Sequence, residues 1–176
     1  MSAPSASKNP VVVMETSEGT IKVELWADRA PGSVKNFLRY TDEKYFDGTV
    51  FHRVIDGFMI QGGGMTADLR SKKTHEPIKN EARADLRNLR GTLALARTSD
   101  LHSATSQFFI NVKDNAFLDH RGETLDTFGY AVFGKVVAGM DVVDAIAAVP
   151  TGTKSGHQDV PREPVTILSV TRVAAK

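Results

Sequence analysis

Cysteine is absent from this chain, and with it go disulfides, thiolate nucleophiles and cysteine metal sites. Such a composition fits a reducing compartment, and a cytoplasmic location is the expectation. Charge of one sign is also missing. Lysine and arginine number 22 against 21 acidic residues, giving a net charge of +1. The basic residues are dispersed, and Lys72-Lys73 is only a pair, so charge gives a nucleic-acid partner no support. No apolar run approaches the roughly 20 residues of a membrane span, so no membrane role is expected. The five histidines are scattered, without an HxH or HxxxH pair, and no metal or other cofactor is expected. A GxSxG elbow is lacking as well.

What is present suits one compact domain, given 176 residues. The first ten residues, MSAPSASKNP, are small and polar and lack an apolar signal core. They are read as a disordered leader, residues 1–10, with the domain over 11–174. Val11 to Glu15 is apolar and β-branched. After the turn chemistry of Ser17-Glu18-Gly19, Ile21, Val23 and Leu25 alternate with Lys22 and Glu24. This period of two predicts a hairpin with one wet face. Pro31 suits the first turn of a helix, and Val34, Phe37 and Leu38 follow at helical spacing toward Thr41.

Further strands are expected over 51–55 and 59–62, separated by Asp56-Gly57, and over 92–96, 107–112, 130–137 and 165–173. Asn115 to Asp119 reads as a short helical turn, and Met140 to Val149 as a second helix stopped by Pro150. Residues 63–90 are polar and weakly periodic, a long surface excursion of the kind that is usually functional or mobile. About eight strands and two striped helices make the chain mainly β, with the helices over the open ends of a barrel. Ile21, Val23, Leu25, Phe108 and Ile110 are large inward candidates, so the interior should be packed and any site should lie outside.

Two clusters hold candidate chemistry. In FHRVIDGFMIQGGG, Phe51 to Gly64, Met59 and Gln61 share one strand face. In ATSQFFINV, Ala104 to Val112, Gln107 and Phe109 share a face opposite Phe108 and Ile110. Apolar groups displayed with amides make a recognition surface. Plainer readings compete: Arg53 as a solvated strand residue, Phe58 and Met59 as core. The run Gly62-Gly63-Gly64 lacks the Lys-Ser/Thr of a phosphate loop and is better read as a sharp turn or close backbone approach.

FHRVIDGFMIQGG resembles the signature of the cyclophilin family of peptidyl-prolyl cis/trans isomerases. SQFFI and VFGKV match two more segments of that family in order. NEARADLRNLRGTLALART and HQDVP look like its bacterial cytoplasmic branch. The resemblance runs from about Val11 to Val173 and implies a closed eight-stranded antiparallel barrel capped by two helices. It implies Arg53 as the catalytic arginine, and Phe58, Met59, Phe109 and Leu118 as lining a proline pocket. Gln61 would orient Arg53, Gln107 would lie beside the pocket, and Ala96 and Arg97 would flank the residue before proline. Phe117 stands where many eukaryotic members carry tryptophan, which implies weakened affinity for cyclosporin-type ligands. Tyr130 replaces a histidine in the pocket wall. Arg97 replaces a common asparagine, a change that points toward acidic residues near the proline.

The expected partners are proline-containing peptides and unfolded or partly folded proteins, with the chain a monomer. Rotation about an X-Pro bond breaks no bond and needs no nucleophile, base or metal. The alternatives are a non-catalytic module that holds proline peptides and a barrel that binds a small molecule inside.

Overall fold

The computed structural model describes residues 9–173. Most of the expected leader, residues 1–8, and the last residue of the expected domain, Ala174, lie outside the described residues. The elements run β1 (Val11–Thr16), β2 (Gly19–Leu25), α1 (Pro31–Asp42), β3 (Phe51–Ile55), β4 (Met59–Gly62), β5 (Thr92–Leu95), β6 (Phe108–Asn111), β7 (Val132–Ala138), α2 (Met140–Ala147), β8 (Thr151–Lys154), β9 (His157–Pro161) and β10 (Ile167–Arg172). A single 3-10 turn, Ala116–Leu118, lies between β6 and β7.

Eight strands form one antiparallel curled sheet in the order β10-β1-β2-β7-β5-β6-β4-β3. Closure is less complete than a full barrel. The edges β3 and β10 meet only where their leading ends approach, through the Val50–Thr166 bridge. There Phe51 N donates to Val165 O at 3.0 Å, and Ile167 N to Thr49 O at 2.7 Å. The β8–β9 hairpin forms a separate small sheet, an element the sequence pattern did not announce.

The period-two strands do what their pattern predicts. Met14 faces Ile21 and Val12 faces Val23 across the first hairpin, all fully buried. Ile60, Ile110 and Leu93 continue this inner face through adjacent strands. Phe37 of α1 meets Phe46, Phe108 and Phe133 with ring centroids 4.9–5.5 Å apart. Val143, Ile146 and Ala147 of α2 join the same cluster. The inward residues therefore pack into a solid core, as their size required.

A second apolar cluster lies on the outer face of the sheet: Met59, Leu86, Ala94, Phe109, Leu118 and Val132, flanked by Phe58 and Tyr130. The excursion over 63–90 is not simply a surface loop. Leu69, Asn80, Ala82, Leu86 and Asn88 in it are buried, and Leu86 supplies part of that outer cluster.

Candidate active site

The site is written across the sheet rather than along the chain. Backbone register sets Arg53 of β3 opposite Gln61 of β4, Gln61 opposite Phe109 of β6, and Phe109 opposite Ala94 of β5. Residues opposed in register point to the same side of a sheet. Arg53, Gln61 and Phe109 thus stand in one row on the outer face, although 56 positions separate the first from the last. Met59 is opposite Asn111 in the next row of the same face.

Polar contacts run along this row. Arg53 Nη1 donates to Gln61 Oε1 at 3.4 Å, a long bond that leaves the exposed guanidinium largely free. Gln61 Nε2 donates to Gln107 Oε1 at 2.9 Å, which fixes the amide that faces Arg53. The glycine run permits this approach. A Cβ on Gly64 would stand 2.5 Å from Gln107 Cγ, and Gly63 takes a φ of +94° that side chains rarely adopt. The turn-and-close-approach reading of these glycines holds on both counts.

Beside Arg53 the row opens into a small pocket of about 120 Å³. Phe58, Met59, Phe109, Leu118 and Tyr130 supply its apolar wall, with Arg53, Gln61, Ala96 and Arg97 on the rim. Phe109 and Tyr130 meet edge to face at 5.6 Å. The Arg97 guanidinium lies 4.7 Å over the Tyr130 ring and donates through Nη2 to Gly129 O at 3.2 Å and through Nη1 to Thr98 O at 3.0 Å. An adjoining cleft is lined by Gln61, Ala96, Arg97, Thr98, Ser103, Thr105 and Gln107.

Of the eleven residues singled out from sequence, nine line the pocket. Gln107 lines the adjoining cleft. Phe117 does not enter the pocket: it is 61% exposed and stacks on Phe58 with centroids 5.5 Å apart, widening the rim. Among the described residues, no group of three or more His, Asp or Glu is placed to hold a metal ion.

The model of the family "cyclophilin type peptidyl-prolyl cis-trans isomerase/CLD" matches residues 11–172. The chain belongs to the cyclophilin-type peptidyl-prolyl cis-trans isomerases.

Among bacterial cyclophilins, it is 56% identical to peptidyl-prolyl cis-trans isomerase B of Escherichia coli (strain K12), covering 92% of this chain and 98% of that one. It is 58% identical to peptidyl-prolyl cis-trans isomerase cyp18 of Streptomyces antibioticus, covering 90% and 95%. A crystal structure of a Cryptosporidium parvum cyclophilin determined in the presence of the dipeptide Ala-Pro superposes with a TM-score of 0.75 at 25% identity, covering 94% of this chain and 99% of that chain. The protein is therefore an enzyme of the isomerase class, accelerating rotation about X-Pro bonds. The curled sheet with its two helices is the cyclophilin architecture.

One neighbour of Arg53 escaped the sequence reading. His52, next to Arg53, is buried with its Nδ1 unpartnered. Burial, together with nearby His157 and Arg53, lowers its pKa to about 4. Period two was the signal that could have placed it, since His52 must point opposite to Arg53.

Proposed function

We propose that Arg53 is the catalytic residue and that the pocket beside it grips the proline ring. The observation that carries this reading is the row Arg53–Gln61–Phe109, a donor-rich guanidinium and an apolar ring-sized pocket on one face. The barrier to rotation is about 18–20 kcal/mol and arises from amide resonance. As the C–N bond twists, resonance is lost and the prolyl nitrogen regains a lone pair. It accepts a hydrogen bond only in that geometry. A donor aimed at it stabilises the transition state and not the planar ground states. Arg53 is permanently charged and carries its donors in a rigid plane, which a lysine would not.

Arg53 alone is insufficient. A millionfold acceleration requires about 8 kcal/mol, whereas one preorganised donor supplies about 3–4 kcal/mol. The remainder falls to orientation. In this reading Phe58, Met59, Phe109, Leu118 and Tyr130 hold the ring. Gln61 orients Arg53 and contacts the substrate backbone, with Gln107 steadying it. Ala96 and Arg97 flank the residue before proline, and Phe117 extends the rim along Phe58. A dipeptide, such as the Ala-Pro present with the Cryptosporidium structure, is the shortest molecule that contains an X-Pro bond.

Physiological substrates in this proposal are proline-containing segments of unfolded or partly folded proteins. Residues 11–174 act as one domain, as a monomer, in the cytoplasm, in keeping with a chain free of cysteine. Cyclosporin-type ligands bind with weakened affinity, because phenylalanine at 117 offers neither the area nor the indole N–H of tryptophan.

The test is cis/trans exchange of an Ala-Pro peptide followed by NMR. Arg53→Ala should lower turnover by roughly a hundredfold or more while peptide binding stays measurable. Near-normal turnover in that variant would remove Arg53 from its role. Binding without accelerated exchange in the unaltered protein would favour the alternative, a module that holds proline peptides.

A further inference from the structure

Three asparagines lie buried beneath the pocket without lining it: Asn88, from the far end of the excursion, Asn111, at the end of β6, and Asn115, just before the 3-10 turn. Their amides form a relay. Asn115 Nδ2 donates to the main-chain carbonyl of Phe58 at 2.9 Å and to Asn111 Oδ1 at 2.8 Å. Asn111 Nδ2 donates to Asn88 Oδ1 at 3.1 Å and to Thr92 Oγ1 at 3.0 Å. Asn88 Nδ2 donates to the carbonyl of Leu118 at 3.1 Å and to Asp119 Oδ1 at 3.2 Å. Both ends finish on main-chain carbonyls, which can only accept, so the direction of every amide in the relay is fixed.

The two carbonyls at the ends belong to pocket residues, and each takes a second bond. Val112 N donates to Phe58 O and Tyr130 N to Leu118 O, both at 3.0 Å. Phe58 comes from the β3–β4 connection, whereas Leu118 and Tyr130 both come from the β6–β7 connection, and no strand pairing joins Phe58 to Leu118. The asparagine relay does. It does so at a cost: Asn115 Oδ1 is buried and accepts no bond. An apolar residue would avoid that loss, so what the amide contributes at position 115 is its donors.

We propose that Asn115, with Asn111 and Asn88 behind it, is a positioning residue for the isomerase reaction: it holds Phe58 in place relative to Leu118 and so sets the width of the proline pocket. The inference rests on the reading of Phe58 and Leu118 as walls of the proline pocket. Width matters because a gap of about 0.5–1 Å between the ring and the pocket wall forfeits a quarter to a half of each contact's attraction, which weakens binding. The relay also gives the end of the 63–90 excursion a role, as a brace under the pocket.

Asn115→Leu keeps the number and branching of the side-chain heavy atoms and deletes the donors. KM and kcat for an Ala-Pro peptide are measured by NMR exchange in this variant, in Phe58→Leu and in the double variant. The expected result is a KM raised about tenfold by Asn115→Leu, equivalent to about 1.4 kcal/mol, with kcat little changed. In the Phe58→Leu background that increase should vanish, because a residue acting through Phe58 couples to it. Additive effects, or an unchanged KM in Asn115→Leu, overturn the inference while leaving the pocket reading intact. An unchanged KM in Phe58→Leu overturns the pocket reading and the inference with it. If Asn115→Leu does not fold, the side-chain amide resonances of Asn115 and Asn111 in the unaltered protein decide. They should shift on saturation with peptide, and unmoved resonances overturn the inference.

Discussion

Arg97 shows how one side chain is read differently alone and in place. In sequence it is a basic residue after Ala96. In the structure its guanidinium is pinned over Tyr130 and onto Gly129 O, between the pocket and the adjoining cleft. No carboxylate lines either cavity, and Arg53 adds a second positive charge. A glutamate before proline should therefore be favoured over a lysine. Part-exposed charges interact by about 1 kcal/mol at most, so the ratio of kcat/KM for Glu-Pro over Lys-Pro peptides should be roughly fivefold. It should shrink in Arg97→Gln and at high salt, as measured by competitive NMR exchange. Equal rates for the two peptides would leave Arg97 only its packing on Tyr130.

At the scale of elements, α1 begins without a cap of its own: Ala30 holds the N-cap position and offers no side-chain oxygen. Glu81, from the excursion, fills that role. Its carboxylate accepts from Gly32 N at 3.0 Å, Ser33 N at 2.6 Å and Ser33 Oγ at 2.8 Å. A carboxylate on free helix N–H groups also complements the helix dipole. Glu81→Ala should cost about 1–2 kcal/mol in urea unfolding, with KM for peptide unchanged. Elements with strong local chemistry were legible in sequence. β3 and β4 have the expected ends, because Asp56-Gly57 marks their turn. The β8–β9 hairpin was missed because TGTK and HQDVP carry no apolar alternation. It turns on Ser155 and Gly156, both at positive φ, and is anchored by buried Val160. The excursion looked structureless for a related reason. Its buried residues are held one at a time by distant partners, as Asn80 N is by His102 Nδ1.

For the whole molecule, His52 couples acidity to folding. Its pKa is about 4 in the folded chain against 6.5 unperturbed, chiefly because burial disfavours the charged ring. Between those values the unfolded chain binds more protons, so stability falls as pH drops from about 6.5 to about 4 and is flat above. The shift corresponds to about 3 kcal/mol of global stability. Urea midpoints measured from pH 7 to pH 4 should decline in the unaltered protein, and that part of the decline should be absent in His52→Asn. A parallel decline in the variant would assign the acid sensitivity elsewhere. His157 of β9 and Arg53 of β3 act on the ring in the same direction as burial.

The sequence by itself determined the strand alternation, the two helix stripes, the packed interior and the residue types of the site. Each of these follows from short-range spacing or from motifs contiguous in the chain. Tertiary structure alone decided how far the sheet closes, that Phe117 stays on the rim, and that Asn88, Asn111 and Asn115 share one relay. It also decided the row from Arg53 to Phe109, because period two assigns a face within one strand but not the register between strands. Register is set by burying the inner face, Ile60 against Ile110 against Leu93, and the outer row follows from it. Core packing, chosen for stability, thereby places the arginine beside the pocket.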